Sequence, residues 1–212
     1  MSGSLHFYYG TVSSSKSLIL LSLNHSYKSH DKQCYLIKPI IDTRDDVNTI
    51  SSKAGLSYPA DLLVKDDTHI TRVVNEYICS KMKHIDCILV DEAQFLSDVH
   101  IEQLRYIATN YNILIKCYGL KTDWKNYLFN GSKRLIELAD TINEIQTICC
   151  NTKCNKNAIC NLKYNNPVIA TQTISKSNIN TENDETYTQI AIGGEDMYKA
   201  MCYNCYVNYN KK

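Results

Sequence analysis

The sequence predicts an α/β fold, a parallel sheet flanked by helices with a small C-terminal lobe, and three observations lead to it. Short β-rich runs alternate with stretches of helical periodicity through about residue 150, the pattern of strand–helix–strand crossovers. The run Gly10-Thr11-Val12-Ser13-Ser14-Ser15-Lys16-Ser17 leaves the first β-like segment with Gly first and Lys-Ser last. Near the C-terminus, Cys202-Tyr203-Asn204-Cys205 places two thiols at metal-clasping spacing, with Cys149, Cys150 and Cys154 upstream.

Leu5–Tyr9 reads as the first strand, and the loop after it opens the helical stretch Ser17–Tyr27. A P-loop of this kind wraps phosphates with backbone N–H groups at a helix N-terminus, while Lys and Ser serve phosphate and Mg²⁺. Gly10, Ser13, Ser14, Ser15, Lys16 and Ser17 are therefore the candidate ATP/phosphate-binding residues. Ser15 stands where the pattern has Gly, whose missing Cβ lets backbone approach phosphate closely. A polar turn without ligand is the competing reading of this loop taken alone.

Gln33–Lys38, Cys87–Val90 and Ile113–Tyr118 are further buried strands, and Thr68–Lys81 and Asp98–Thr109 carry apolar residues at helical spacing. The strand Cys87–Val90 runs into Asp91-Glu92. Asp91 is placed to contact Mg²⁺ directly or through water, which leaves Glu92 to take a proton from an attacking hydroxyl. The alternative is an acid that caps a helix starting near Ser97. Together, the loop and the acid pair point to a nucleoside triphosphate.

The 212 residues, 44% hydrophobic, suffice for one sizeable core and a small second lobe. With 23 basic and 22 acidic residues and a net charge of +1, nothing draws the chain to nucleic acid or an anionic membrane. No apolar stretch reaches the ~18 residues of a membrane helix, and Met1-Ser2-Gly3-Ser4 lacks the regions of a secretory signal. The expected compartment is cytoplasmic, so the ten cysteines read as thiols or metal ligands, not as a disulfide framework.

Cys202 and Cys205 with two of Cys149, Cys150 and Cys154 would hold a tetrahedral, structural Zn²⁺. Cys150 gives the shorter spacer to Cys154, and Cys160 is an outside candidate. Cys34, Cys79, Cys87 and Cys117 fall in or near regular elements and are expected to pack as small apolar groups. None of the six histidines has metal-ligand spacing.

Asp91-Glu92-Ala93-Gln94-Phe95, followed by Tyr118-Gly119-Leu120-Lys121-Thr122-Asp123-Trp124, resembles the paired signatures of the type II, or cellular-type, thymidine kinases. Phe7-Tyr8-Tyr9, the phosphate loop, Asp42-Thr43-Arg44, Ser51–Leu56 and Ile192-Gly193-Gly194 extend the likeness over roughly residues 4–209. The resemblance implies transfer of the ATP γ-phosphate to the 5′-hydroxyl of thymidine with Mg²⁺. Glu92 would be the general base and Asp91 with Ser17 the Mg²⁺ residues, and Asp42 and Arg44 would lie near the phosphates. Read without the resemblance, Asp42–Asp46 is an ordinary charged loop.

The resemblance also implies a nucleoside slot between Phe95, Leu120, Trp124 and Phe129 on one side and Tyr198 on the other, with Trp124 where many members carry Phe. A long loop, roughly Asn165 to Ile192, would close over the nucleoside, bringing Ile190, Ile192 and Gly193 to the base. The division that follows is a P-loop nucleotide-binding domain over 1–148 and a zinc-binding, nucleoside-lid (lasso) domain over 149–212. A homotetramer and feedback inhibition by dTTP are implied by the resemblance alone. A generic P-loop ATPase and a nucleotide-binding descendant without transfer chemistry remain the alternatives.

Overall fold

A computed structural model of the chain describes residues 3–42, 46–81, 84–163 and 197–210. Its centre is a six-stranded, wholly parallel sheet of β1 (Ser4–Tyr9), β2 (Cys34–Pro39), β5 (Leu62–Val64), β6 (Cys87–Val90), β7 (Leu114–Gly119) and β8 (Thr141–Glu144). The spatial order is β5-β2-β6-β7-β1-β8. Registers such as Leu36↔Leu89, Ile88↔Ile115 and Phe7↔Cys117 place strand centres side by side.

Both faces of the sheet are covered, so its central strands are apolar at consecutive positions, as buried parallel strands require. On one face Ile37, Ile88, Val90 and Ile115 meet Ile70 and Val74 of α2 (Ile70–Lys81) and Ile101, Leu104 and Ile107 of α3 (Asp98–Tyr111). Leu135 of α4 (Asn130–Leu138) joins the same cluster. On the other face Leu36 and Leu89 meet Leu20 and Leu21 of α1 (Lys16–Lys28) and Ile50 of a small hairpin, β3 (Thr49–Ser51) with β4 (Ser57–Pro59). The strand period of two sends alternate residues of β2 and β6 to opposite cores.

Helix starts are visible in the side chains. Ser97 precedes α3 and accepts a bond from the His100 N–H at 3.3 Å, while its own N–H donates to His100 Nδ1 at 3.3 Å. This reciprocal capping gives His100 a structural role. It also relieves Asp91 and Glu92 of any capping duty.

The C-terminal part folds as β9 (Cys160–Lys163) antiparallel to β10 (Tyr198–Met201), followed by α5 (Tyr203–Asn210). Its core is Cys149, Leu162, Met201 and Cys202. No described helix is long and apolar enough to cross a membrane.

Candidate active site

In a parallel sheet, ligands gather beyond the carboxyl ends of the strands, where the following loops diverge. Four adjacent strands, β2, β6, β7 and β1, deliver Asp42, Asp91-Glu92, Leu120 and the Gly10–Ser17 loop to that edge. Between them lies a cavity of about 450 Å³, within the range of small-ligand sites.

The loop turns twice through left-handed backbone, at Ser13 (φ 60°) and Ser15 (φ 61°). The second value supplies the reason for glycine in the general pattern: Ser15 carries its Cβ in a conformation that disfavours one. Gly10 is required by closeness, since a Cβ there would sit 2.3 Å from Ser14 Oγ and 2.6 Å from the Ile145 carbonyl oxygen. Lys16, buried, donates to the Thr11 carbonyl at 2.7 Å and to the Gly10 carbonyl and Ser14 Oγ at 3.4 Å each. Its ammonium is thus held inside the concavity of its own loop.

Ser17 Oγ donates to Asp91 Oδ2 at 2.9 Å. A serine hydroxyl and a buried carboxylate in contact beside a phosphate loop form the oxygen pair a Mg²⁺ carried by phosphates would use. Glu92, also buried, has left-handed backbone at φ 48°. Left-handed backbone in a residue with a Cβ persists where the surrounding structure holds it. Its Oε2 accepts from Gln94 Nε2 at 2.5 Å, and Gln94 Oε1 accepts from the Leu120 N–H at 2.9 Å. Gly119 permits that bridge, because a Cβ there would lie 2.6 Å from Gln94 Oε1.

Asp42 lies in the same cavity, paired with the buried Lys38 at 3.4 Å. Lys38 also donates to the Thr49 carbonyl at 3.0 Å, which ties the β3–β4 hairpin to the sheet. Arg44 lies outside the described residues, as do Ile190, Ile192 and Gly193 and the rest of the expected lid.

Phe95, Leu120, Trp124, Phe129 and Tyr198 all line the cavity with the loop and the acids. Phe95 and Phe129 meet edge to face, with centroids 5.8 Å apart and planes at 79°. The segment between β7 and α4 is braced internally: Asp123 Oδ1 accepts from Lys125 and Tyr127 N–H groups at 2.8 and 2.9 Å. Ser132 Oγ donates to the Leu120 carbonyl at 2.5 Å. Burial, and after it the Asp123 carboxylate, pushes the Tyr198 phenol up.

The thiols of Cys149, Cys154, Cys202 and Cys205 all lie within 4.8 Å of one another. Cys154 Sγ and Cys202 Sγ are 3.7 Å apart, close to the ~3.8 Å edge of a tetrahedron built on Zn–S bonds of ~2.3 Å. Hydrogen bonding from the Cys205 backbone, reinforced by neighbouring thiols, lowers the Cys202 thiol to about 7, while the same thiol contacts push the Cys205 thiol up. Of the two cysteines weighed as partner to Cys154, the four-thiol group contains Cys149 and not Cys150. Side chains alternate along this extended stretch, with Ile148 and Cys150 exposed and Cys149 buried, so Cys150 faces away while its N–H donates to the Ala200 carbonyl at 2.8 Å. Cys160 is buried but stands outside the four-thiol group.

Sequence reasoning did not single out Lys38, Gln94, Asp123 or Asn161, all of which line the cavity. Gln94 and Asp123 sat within the two quoted signatures and were legible there as polar residues among apolar ones. Lys38 and Asn161 had no local signal.

A family model described as thymidine kinase matches residues 3–206. The chain is similar to the thymidine kinase of Haemophilus influenzae, at 34% identity over 199 residues and 93% of each chain. It is likewise similar to that of Listeria monocytogenes, at 36% over 206 residues and 96% of each. The thymidine kinase of Shouchella clausii shares 34% over 204 residues and 95% of each chain.

Proposed function

This chain belongs to the thymidine kinase family, and on that premise we propose how its residues move the γ-phosphate of ATP to the 5′-hydroxyl of thymidine. The observation that carries the reading is the continuity of one cavity from the Gly10–Ser17 loop, past Asp91 and Glu92, to the aromatic pair and Tyr198. A triphosphate on the loop and a flat base among the aromatics would meet beside Glu92.

In this reading Lys16 exchanges its loop carbonyl partners for phosphate oxygens, and the loop N–H groups hold the rest of the triphosphate. Ser17 and Asp91 would hold Mg²⁺, which would supply charge neutralisation for the phosphates. Glu92 accepts the proton of the 5′-hydroxyl as that oxygen attacks the γ-phosphorus and the bond to the ADP oxygen breaks. Gln94, bonded to both Glu92 and the Leu120 N–H, orients the base toward the nucleoside loop. Asp42, held by Lys38, belongs to the phosphate end, with Arg44 neutralising charge that develops there.

Cys149, Cys154, Cys202 and Cys205 would hold a structural Zn²⁺, with no part in the chemistry. Residues 149–212 act as the unit that closes over the nucleoside, contributing Tyr198 and, from the lid, Ile190, Ile192 and Gly193, while 1–148 carry the ATP. A homotetramer and inhibition by dTTP complete the proposal on the strength of the family resemblance.

The test is formation of thymidine monophosphate from thymidine, ATP and Mg²⁺, with deoxycytidine, deoxyguanosine and no nucleoside as controls. Glu92→Gln should lower turnover about 10²–10⁴-fold, with ADP and thymidine binding little changed. Near-normal turnover in that variant overturns Glu92 as base. Hydrolysis of ATP that is indifferent to nucleoside favours the ATPase reading instead.

A further inference from the structure

The phosphate loop and the nucleoside loop leave neighbouring strands, and a backbone hydrogen bond joins them at their roots. The Gly10 N–H donates to the Gly119 carbonyl at 3.2 Å, and there the β1–β7 ladder ends. One step further out, a side chain takes over. Asn161 Oδ1 accepts from the Val12 N–H at 2.9 Å, and its Nδ2 donates to the Thr122 carbonyl at 3.1 Å. Val12 belongs to the phosphate loop and Thr122 to the loop carrying Leu120 and Trp124. The amide is 4% exposed and spends an acceptor on one loop and a donor on the other.

Asn161 comes from neither loop. It sits on β9, where its register partner on β10 is Ala200, one residue before Met201 and two before Cys202. The same C-terminal unit makes a second strut, since Tyr206 OH donates to the Trp124 carbonyl at 2.7 Å. A strand that pairs with β10 beside the four-thiol cluster therefore holds the amide in place between the two loops.

We propose that Asn161 is a positioning residue that fixes the separation between the phosphate-donor and nucleoside-acceptor subsites. The inference rests on the assignment of those two loops to ATP and thymidine. Phosphoryl transfer needs the two substrates aligned, and a misplacement of ~1 Å costs on the order of 10²-fold in rate. Lys16 braces the phosphate loop, and Asp123 and Ser132 brace the nucleoside loop, independently of Asn161; each substrate is therefore expected to bind alone when Asn161 is lost, and only their relation to change.

The experiment compares zinc-replete wild type with Asn161→Leu, similar in volume and unable to form either bond. Kd is measured separately for ADP, for thymidine, and for adenosine joined to thymidine through a tetraphosphate, alongside kcat. The expected result is ADP and thymidine affinities within ~3-fold of wild type, linked-ligand affinity ~10-fold or more weaker, and kcat down ~10–100-fold. A linked-ligand loss no greater than the combined losses of the separate ligands, or an unchanged kcat, overturns the proposal. Should the leucine variant fail to fold, Asn161→Ser, whose short hydroxyl cannot span both partners, is judged by the same criteria. Wild type that makes no thymidine monophosphate would overturn the kinase assignment, and the linked-ligand comparison would still decide the role of Asn161.

Discussion

Replacing Ser15 by Gly is expected to stabilise this protein, against the usual direction for a glycine substitution. Ser15 precedes α1 with φ 61° and ψ 24°, and its side chain makes no cap hydrogen bond, so its removal forfeits none. Left-handed backbone costs a residue with a Cβ about 1–2 kcal/mol, while the additional chain entropy of Gly opposes by about 0.5–1 kcal/mol. The balance is a gain on the order of 0.5–1 kcal/mol, which for a chain of this size raises Tm by about 1–4 °C. The assay is thermal unfolding of wild type, Ser15→Gly and Ser15→Ala at one protein and zinc concentration. Alanine keeps the Cβ and should stay within about 0.5 kcal/mol of wild type, the ordinary range for an exposed site. On the proposed placement of the triphosphate, the KM for ATP should fall in the glycine variant, because Ser15 lines the cavity and loss of its Cβ lets backbone come closer to phosphate. A glycine variant that melts below wild type, or an alanine variant that rises equally, would refute the strain argument.

Two further outcomes follow from the geometry. Cys149→Ser should lose bound zinc by elemental analysis and Cys150→Ser should retain it, because only Cys149 points into the thiol cluster; the reverse result would restore Cys150 as ligand. The Leu5 N–H, and after it the Arg105 guanidinium, hold the Asp140 carboxyl below the usual aspartate range. A depressed folded pKa gives stability that is present above the ordinary value of about 3.9 and is lost as pH falls through the folded one. Wild type should therefore outlast Asp140→Ala in urea at pH 7, by a margin that shrinks below about pH 4. A margin constant with pH would show that the carboxylate charge contributes nothing.

The parts of the fold legible in sequence were those with strong local chemistry. Four strands were visible as apolar runs because both faces of the central sheet are buried, and α2 and α3 by their helical spacing. The edges were not visible: β5 has only three residues, and β8 is Thr141-Ile142-Asn143-Glu144, exposed throughout and held to β1 by backbone pairing. An edge strand whose side chains all face water has no apolar alternation to betray it. The short helix α4 was missed as well. In the candidate site, Lys16, Ser17, Asp91 and Glu92 stood out because the type and spacing of these residues carry the chemistry themselves.

The sequence by itself determined the order of these motifs, the residue types that can hold phosphate, metal and proton, and the membership of a family whose signatures are local. Tertiary structure decided which of two adjacent cysteines points inward, since that depends on the local alternation of an extended segment. It decided that Ser15 and Glu92 have left-handed backbone, and that Lys38 steadies Asp42 while Gln94 holds Glu92. It also decided that Asn161 reaches 149 residues back along the chain to the Val12 N–H and 39 to the Thr122 carbonyl. A contact between distant residues leaves no periodicity and no spacing in the sequence, because its existence depends on the packing of every element between them.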